Sequence, residues 1–209
     1  MNKLAREFYM DETLEVSKKL LGKLLVHKIN EMELVGKIVE VEAYMGPHDK
    51  AAHSYNNRRT ERVEVMYGPP GFAYIFAIYG MNYCMNIVTA KVGIPNAILI
   101  RALEPVSDLN YISLNRYNKK YSDLSRTQIR NLTNGPGKLC KALKIDKSCY
   151  GEDLCGDKLY LLEEASGEEF EICTSPRINI DYAGEAIHYP WRFFIKGNPF
   201  VSLPNKWKC

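Results

Sequence analysis

The sequence predicts an α+β fold. It reads as one domain, with a curved, largely antiparallel sheet (open-barrel-like), flanking helices and a protruding β-hairpin. Three observations carry this. Short β-rich runs follow one another closely, as antiparallel strands do. Two of them flank a four-residue tip, Tyr79-Gly80-Met81-Asn82, in hairpin fashion. No repeat, low-complexity tract or linker divides the 209 residues, so the domain is set at 1–209.

The chain opens with a helix from Asp11 to Leu21. Asp11 is its expected N-cap, and Leu14, Val16, Leu20 and Leu21 give a rough apolar stripe before Gly22 ends it. Two strands follow, LLVHKI and Leu34 to Glu42, around a polar turn at Asn30 and Glu31. In the second, Ile38, Val39 and Val41 are apolar and Lys37, Glu40 and Glu42 charged, until Gly46-Pro47 breaks it. Residues 49–65 are polar and predict a loop with short helical turns. Gly68-Pro69-Pro70-Gly71 then introduces the hairpin, Phe72 to Ile78 and Tyr83 to Thr89. Period-2 alternation points Tyr74, Phe76 and Ile78 one way, and Ile75, Ala77 and Tyr79 the other. A further strand, Ala97 to Ala102, ends at Glu104-Pro105.

Helices are expected over Val106 to Tyr117, Ser125 to Asn131 and Pro136 to Leu143, the last with Pro136 in its first turn. The chain closes with strands at Leu159 to Leu162, Phe170 to Thr174, Arg177 to Ile180 and Trp191 to Ile195.

Net charge is only +3, which names no partner. Its distribution says more. Nine basic residues stand between Arg116 and Lys147 against two acids, and eight acids between Glu152 and Glu171 against one lysine. A basic flank suits a polyanion, although a solvated helix surface gives the same pattern. The six cysteines form no C-x-x-C and match no zinc spacing, which predicts free thiols in a reducing cytoplasm. The start lacks a signal-peptide core, and no apolar run approaches the roughly 20 residues that span a bilayer.

Glu42 ends a strand before a Gly-Pro break, where burial suits a carboxylate to general-base work. Tyr44 falls on the same face if the strand continues. His48, Asp49 and His53 with Glu42 leave a hard-metal reading open, although their spacing fits no standard zinc helix. Phe76 is either a flat wall over a pocket or an aromatic core residue. Tyr79 beside a protruding tip is what a duplex wedge looks like. Gly135-Pro136-Gly137-Lys138 lacks the first half of a nucleotide-binding loop and has Leu139 where Ser or Thr is needed. Lys138 could still hold one phosphate of a polymer.

Taken in order, VEAYMGPHDKAAHS, PPGFAYIFAIYGMNYCMN, ILIRALEP, GPGKLCKAL and the tail RFFIKGNPFVS resemble the alkyladenine (3-methyladenine) DNA glycosylase family nearly end to end. The resemblance implies a monofunctional base-excision repair enzyme that acts on double-stranded DNA. Such an enzyme flips an alkylated or deaminated purine out of the duplex and hydrolyses its N-glycosidic bond. Glu42 matches the family's general base, and Arg101 the arginine that helps hold the attacking water. Tyr44 and His53 match one side of the base pocket, with His53 hydrogen-bonding the purine edge. Phe76 matches the opposite stacking wall, and Asn86 the asparagine that discourages guanine's amino group. Tyr79 matches the residue that fills the vacated duplex space, with Met81 beside it. Phe76 stands where some members have tyrosine, and Asn82 where some have an aromatic at the tip.

These readings give a cytoplasmic monomer, nucleoid-associated if prokaryotic, with no metal, no cofactor and no membrane partner. A metal-dependent hydrolase or nuclease, and a non-catalytic damaged-DNA binding module, are the competing classes.

Overall fold

The computed structural model describes residues 2–202 apart from 79, 165, 166 and 168. Its frame is an eight-stranded sheet in which every recorded pairing is antiparallel. Asn30, in the left-handed region at φ 55°, turns the chain between β1 (Leu24–Ile29) and β2 (Met32–Tyr44). β2 runs for 13 residues, further at both ends than its apolar pattern predicts.

β2 is the spine. One edge pairs along its length with β5 (Asn96–Pro105). The other edge pairs first with β1 and then with β8 (Arg192–Ile195). The β2–β5 register slips at Val39, with Ile38 opposite Leu103 and Glu40 opposite Ala102. A bulge of this kind bends the strand and sharpens its twist, which curls the sheet into a half-barrel. From the bulge onward Glu40, Glu42 and Tyr44 alternate onto one face.

The hairpin is β3 (Ala73–Ile78) with β4 (Asn82–Thr89), and β4 joins the sheet through β5. β6 (Leu159–Leu162) flanks β1, and β7 (Ile172–Ser175) flanks β8. The main core holds Leu20, Leu25, Leu34, Ile38, Val41, Ile98 and Ile100 with helix residues Ile112 and Leu139, all fully buried.

The helices shift slightly from expectation, for capping reasons. α1 (Thr13–Leu20) has Glu12 at its N-cap. Asp11 does not cap it, because its carboxylate takes the Glu12 N–H and Lys19 instead. α2 (Leu109–Tyr117) starts three residues later than Val106. There Asp108, at φ 41°, accepts the Tyr111 N–H. α3 (Arg126–Arg130) opens with a Ser125–Gln128 capping box, and α4 (Pro136–Ala142) opens on Pro136. α4 lies against the tip end of the hairpin, where a Cβ on Gly137 would come within 3.2 Å of the Asn82 Cβ.

Two expectations fail. Residues 177–180 form no strand, because Arg177 is drawn into the interior by an ion pair described below. Cys173 is disulfide-bonded, so the cysteines are not all free thiols. Cys84, Cys140, Cys149 and Cys155 are free, and Cys209 lies outside the described residues.

Candidate active site

The face that the bulge creates carries two carboxylates, Glu40 and Glu42, both fully buried. Arg101, from the facing strand β5, lies between them. Its Nε donates to Glu40 Oε1 at 3.1 Å and its Nη1 to Glu42 Oε2 at 3.3 Å. Glu40 is held from every side. Arg192 Nε donates to it at 2.6 Å, the Ser202 N–H at 2.6 Å and the Ser202 hydroxyl at 2.8 Å. Burial pushes the Glu40 carboxyl up, but Arg101, Arg192 and the Ser202 N–H outweigh it and leave it below the usual range. Arg101 stays charged, since these two carboxylates more than offset the cost of its burial.

Glu42 has a sparser shell. The Ile178 N–H donates to Oε1 at 2.7 Å, and the Tyr44 hydroxyl to Oε2 at 2.9 Å. Oε1 has that single donor among the described residues, which leaves it a lone pair. Tyr44, Arg101 and Ile178 all line one cavity of about 300 Å³. Glu42 thus sits just beneath the floor of a pocket at the small end of the ligand-site range of roughly 300–1,000 Å³.

Tyr44 owes its position to a second buried ion pair. Arg177 clamps Asp49 with Nη1 at 2.5 Å and Nη2 at 2.8 Å, and both side chains have 0% exposure. Its guanidinium lies 4.7 Å from the Tyr44 ring centroid and 5.0 Å from that of Trp191. Asp49 also accepts the N–H groups of Met45 and Ala51. Its oxygens are therefore committed to the loop, and His48 is exposed. Among the described residues no three His, Cys, Asp or Glu side chains converge as a metal site.

His53 and Phe76 touch edge to face, with centroids 4.7 Å apart, so they stand side by side in one aromatic wall and not on opposite sides of the pocket as the resemblance implied. Tyr74 lies behind it, 5.4 Å from Phe76, and its hydroxyl meets His53 Nδ1 at 2.8 Å. Burial, with Arg62 and Arg58 nearby, lowers the His53 pKa to about 4, so the ring is neutral at pH 7. Asn86 is buried and donates from Nδ2 to the Tyr74 carbonyl at 3.1 Å. The expected alternation holds, with Tyr74, Phe76 and Ile78 all facing the cavity.

Outside the pocket, Met81 stands 88% exposed at the hairpin tip. Tyr79 lies outside the described residues. Lys138 Nζ is held by Asn131 Oδ1 and Asn134 Oδ1, each at 2.7 Å. The structure thus brings Glu42, Arg101, Tyr44, His53, Phe76 and Asn86 together, and leaves Met81 and Lys138 apart from them.

Sequence reasoning missed Glu40 and Arg177 as parts of this assembly, gave Tyr74 the Phe76 face but no role, and read Asp49 only as a possible metal ligand. A signal existed for two of them. Glu40 is two residues from Glu42, and Tyr74 two from Phe76, so each shares its neighbour's face. Nothing local announces the Asp49–Arg177 pair, whose partners are 128 residues apart.

Comparison with known proteins gives the class. Residues 7–199 match the family model described as methylpurine-DNA glycosylase, so the chain is a DNA glycosylase. It is 58% identical over 201 residues to a protein of Alkaliphilus oremlandii named "Putative 3-methyladenine DNA glycosylase", covering 96% of this chain and 98% of that one. A protein of the same name from Desulfitobacterium hafniense is 55% identical over 203 residues, covering 97% and 100%. One from Bacillus cytotoxicus is 56% identical over 199 residues, covering 93% and 97%. The chain belongs to the methylpurine-DNA glycosylase family.

Proposed function

We propose that this protein excises alkylated or deaminated purines from double-stranded DNA by hydrolysis, with Glu42 as general base. The observation that carries the reading is Glu42 itself. It is a fully buried carboxylate whose three donors, Tyr44, Arg101 and Ile178, all line an aromatic cavity. A buried carboxylate with a free lone pair, beside such a cavity, suits activation of one water.

The chemistry runs as follows. The flipped nucleotide enters the cavity, its base against the His53–Phe76 wall. Flipping costs a few kcal/mol, least for damaged or mispaired bases, which adds selectivity. As the N-glycosidic bond breaks, its electron pair stays with the purine and positive charge builds on the sugar. The Glu42 carboxylate stabilises that charge and takes a proton from the water, whose oxygen bonds to the sugar carbon. Arg101 helps to hold the water. Asn86, fixed through Nδ2, is the group that discourages guanine's amino group. Met81 and Tyr79 act at the duplex from the hairpin tip, and Lys138 at a phosphate. Substrates in this reading are 3-methyladenine, 7-methylguanine, hypoxanthine and ethenoadenine, and the working form is a monomer without metal or cofactor.

The test is base release from alkylated duplex DNA, followed by chromatography, with EDTA present and Glu42→Gln alongside. Free 3-methyladenine from the wild type, with none from Glu42→Gln and lesion binding retained, supports the reading. Strand breaks that vanish with EDTA would favour a metal-dependent nuclease. Tight lesion binding without free base at any enzyme excess would favour a binding module.

A further inference from the structure

We propose that Glu40 is a positioning residue for the general base. Held as an ionised carboxylate by Arg192 and Ser202, it keeps a negative charge between Arg101 and Arg192, so that Glu42 can take a proton from water without leaving both buried arginines bare. This rests on the proposed function and names what sets the basicity of that site.

Two carboxylates and two guanidiniums are buried together on the curled face of β2. Glu40 and Glu42 have no exposure, and Arg192 and Arg101 are buried beside them. Arg101 bridges the carboxylates, with Nε to Glu40 Oε1 at 3.1 Å and Nη1 to Glu42 Oε2 at 3.3 Å. Arg192 has Glu40 as its one recorded carboxylate among the described residues, at 2.6 Å. The four charges balance, and Glu40 is the carboxylate that contacts both arginines.

The two carboxylates differ in their supply of donors. Besides both arginines, Glu40 accepts the Ser202 N–H at 2.6 Å and the Ser202 hydroxyl at 2.8 Å, from a residue 162 positions further along. Burial pushes its carboxyl up, but Arg101, Arg192 and the Ser202 N–H keep it below the usual range. Glu40 does not line the cavity, so it meets neither water nor substrate there. Glu42 keeps a lone pair beside the cavity, and proton uptake is confined to it.

The consequence is electrostatic. When Glu42 takes a proton from the attacking water, its charge vanishes while the water oxygen bonds to the sugar carbon. Arg101 then keeps Glu40 as its carboxylate. Without Glu40, two guanidiniums would be stranded in the interior, and the cost of that state opposes the transfer. The ionised Glu40 also repels the Glu42 charge across Arg101. Both effects favour the protonated form of Glu42 and so make it the stronger base. Other groups facing Glu42 have no charge to spare for this. Tyr44 on β2, Cys84 on β4 and Tyr182 beyond β7 are held protonated, in each case chiefly by burial. Arg177 is matched by Asp49.

The experiment is the pH–rate profile for single-turnover release of 7-methylguanine, a lesion whose positive charge is fixed on the acid side. The acid limb reports protonation of the general base. Glu40→Gln removes a negative neighbour and should move the limb to lower pH by about 1 unit, as one adjacent charge does. Arg192→Gln removes a positive neighbour and should move it to higher pH. The double variant keeps the charge balance and should place the limb between the two. Circular dichroism at each pH checks folding. If Glu40→Gln does not fold, the double variant compared with Arg192→Gln still reads the loss of the Glu40 charge, as a shift to lower pH. A merely structural Glu40 would slow release at every pH with the limb unmoved. That result, or shifts of the same sign in both single variants, would overturn the proposal. Base release by Glu42→Gln, or none by the wild type, would remove the proposed function and this proposal with it.

Discussion

Tyr44 donates its phenolic O–H to Glu42 Oε2 across 2.9 Å, although the two are only two residues apart on one strand. The contact exists because β2 continues past Glu42 and keeps both side chains on the same face. Burial and the Glu42 charge hold the Tyr44 pKa well above its ordinary value, so the phenol stays a donor throughout the working pH range. Tyr44→Phe keeps the ring and deletes this donor. A hydrogen bond to a charged group is worth about 1.5–3 kcal/mol, so single-turnover base release should slow about 10- to 100-fold. A rate within twofold of wild type would remove Tyr44 from the Glu42 shell.

Glu40 neutralises Arg192, whose other recorded hydrogen bond goes to Ser175 Oγ at 2.9 Å. Glu40→Ala leaves that arginine buried beside Arg101 with its counter-charge gone, at a cost of about 3–5 kcal/mol. Urea unfolding measures this as a lower midpoint at unchanged slope.

The same carboxylate makes stability depend on acid. Its folded pKa is held below 4.5, so its contribution is complete above that value and is lost as pH falls through the lower folded value. Glu40→Gln should therefore flatten the acid limb of the stability curve, and an unchanged limb would contradict this assignment.

Asp49 serves structure in this fold. Asp49→Ala strands the Arg177 guanidinium at full burial and frees the Tyr44 ring stacked on it. The expected loss is about 3–5 kcal/mol by denaturant, with slower base release that added divalent metal does not rescue. Rescue by metal would reinstate the histidine loop as an ion site.

His53 titrates late. Its folded pKa near 4 lies below the ordinary 6.5, so the unfolded chain takes the proton first as pH falls. This group's stabilising contribution is full above pH 6.5 and is lost between there and about 4. Its ring resonances should hold steady down to about pH 5 in an NMR titration. A midpoint near 6.5 would mean that His53 is solvated.

Met81 is nearly bare at the hairpin tip. Met81→Ser should change stability by less than about 0.5 kcal/mol, as surface substitutions do. It should weaken binding to a lesion duplex, which fluorescence anisotropy measures. Equal affinity would place the wedge elsewhere.

By itself the sequence determined the class of fold, the hairpin with its alternating faces, and the residues that meet in the pocket. These are local matters. Period-2 alternation assigns Tyr74, Phe76 and Ile78 to one face without knowledge of any partner, and ordered motifs carry Glu42, Arg101, His53 and Asn86. Only the tertiary structure decided what surrounds them. The bulge at Val39 lies within a run that local pattern reads as plain alternation, and nothing in that run marks Glu40 as a buried charge. Its burial depends on Arg101 and Arg192, 61 and 152 residues further on. Arg177 likewise looked like the start of a strand. The pull of Asp49, 128 residues back, turns that segment inward and delivers the Ile178 N–H to Glu42. A buried charge requires a counter-charge at contact distance, and where that partner comes from is set by the fold rather than by its neighbours in the chain.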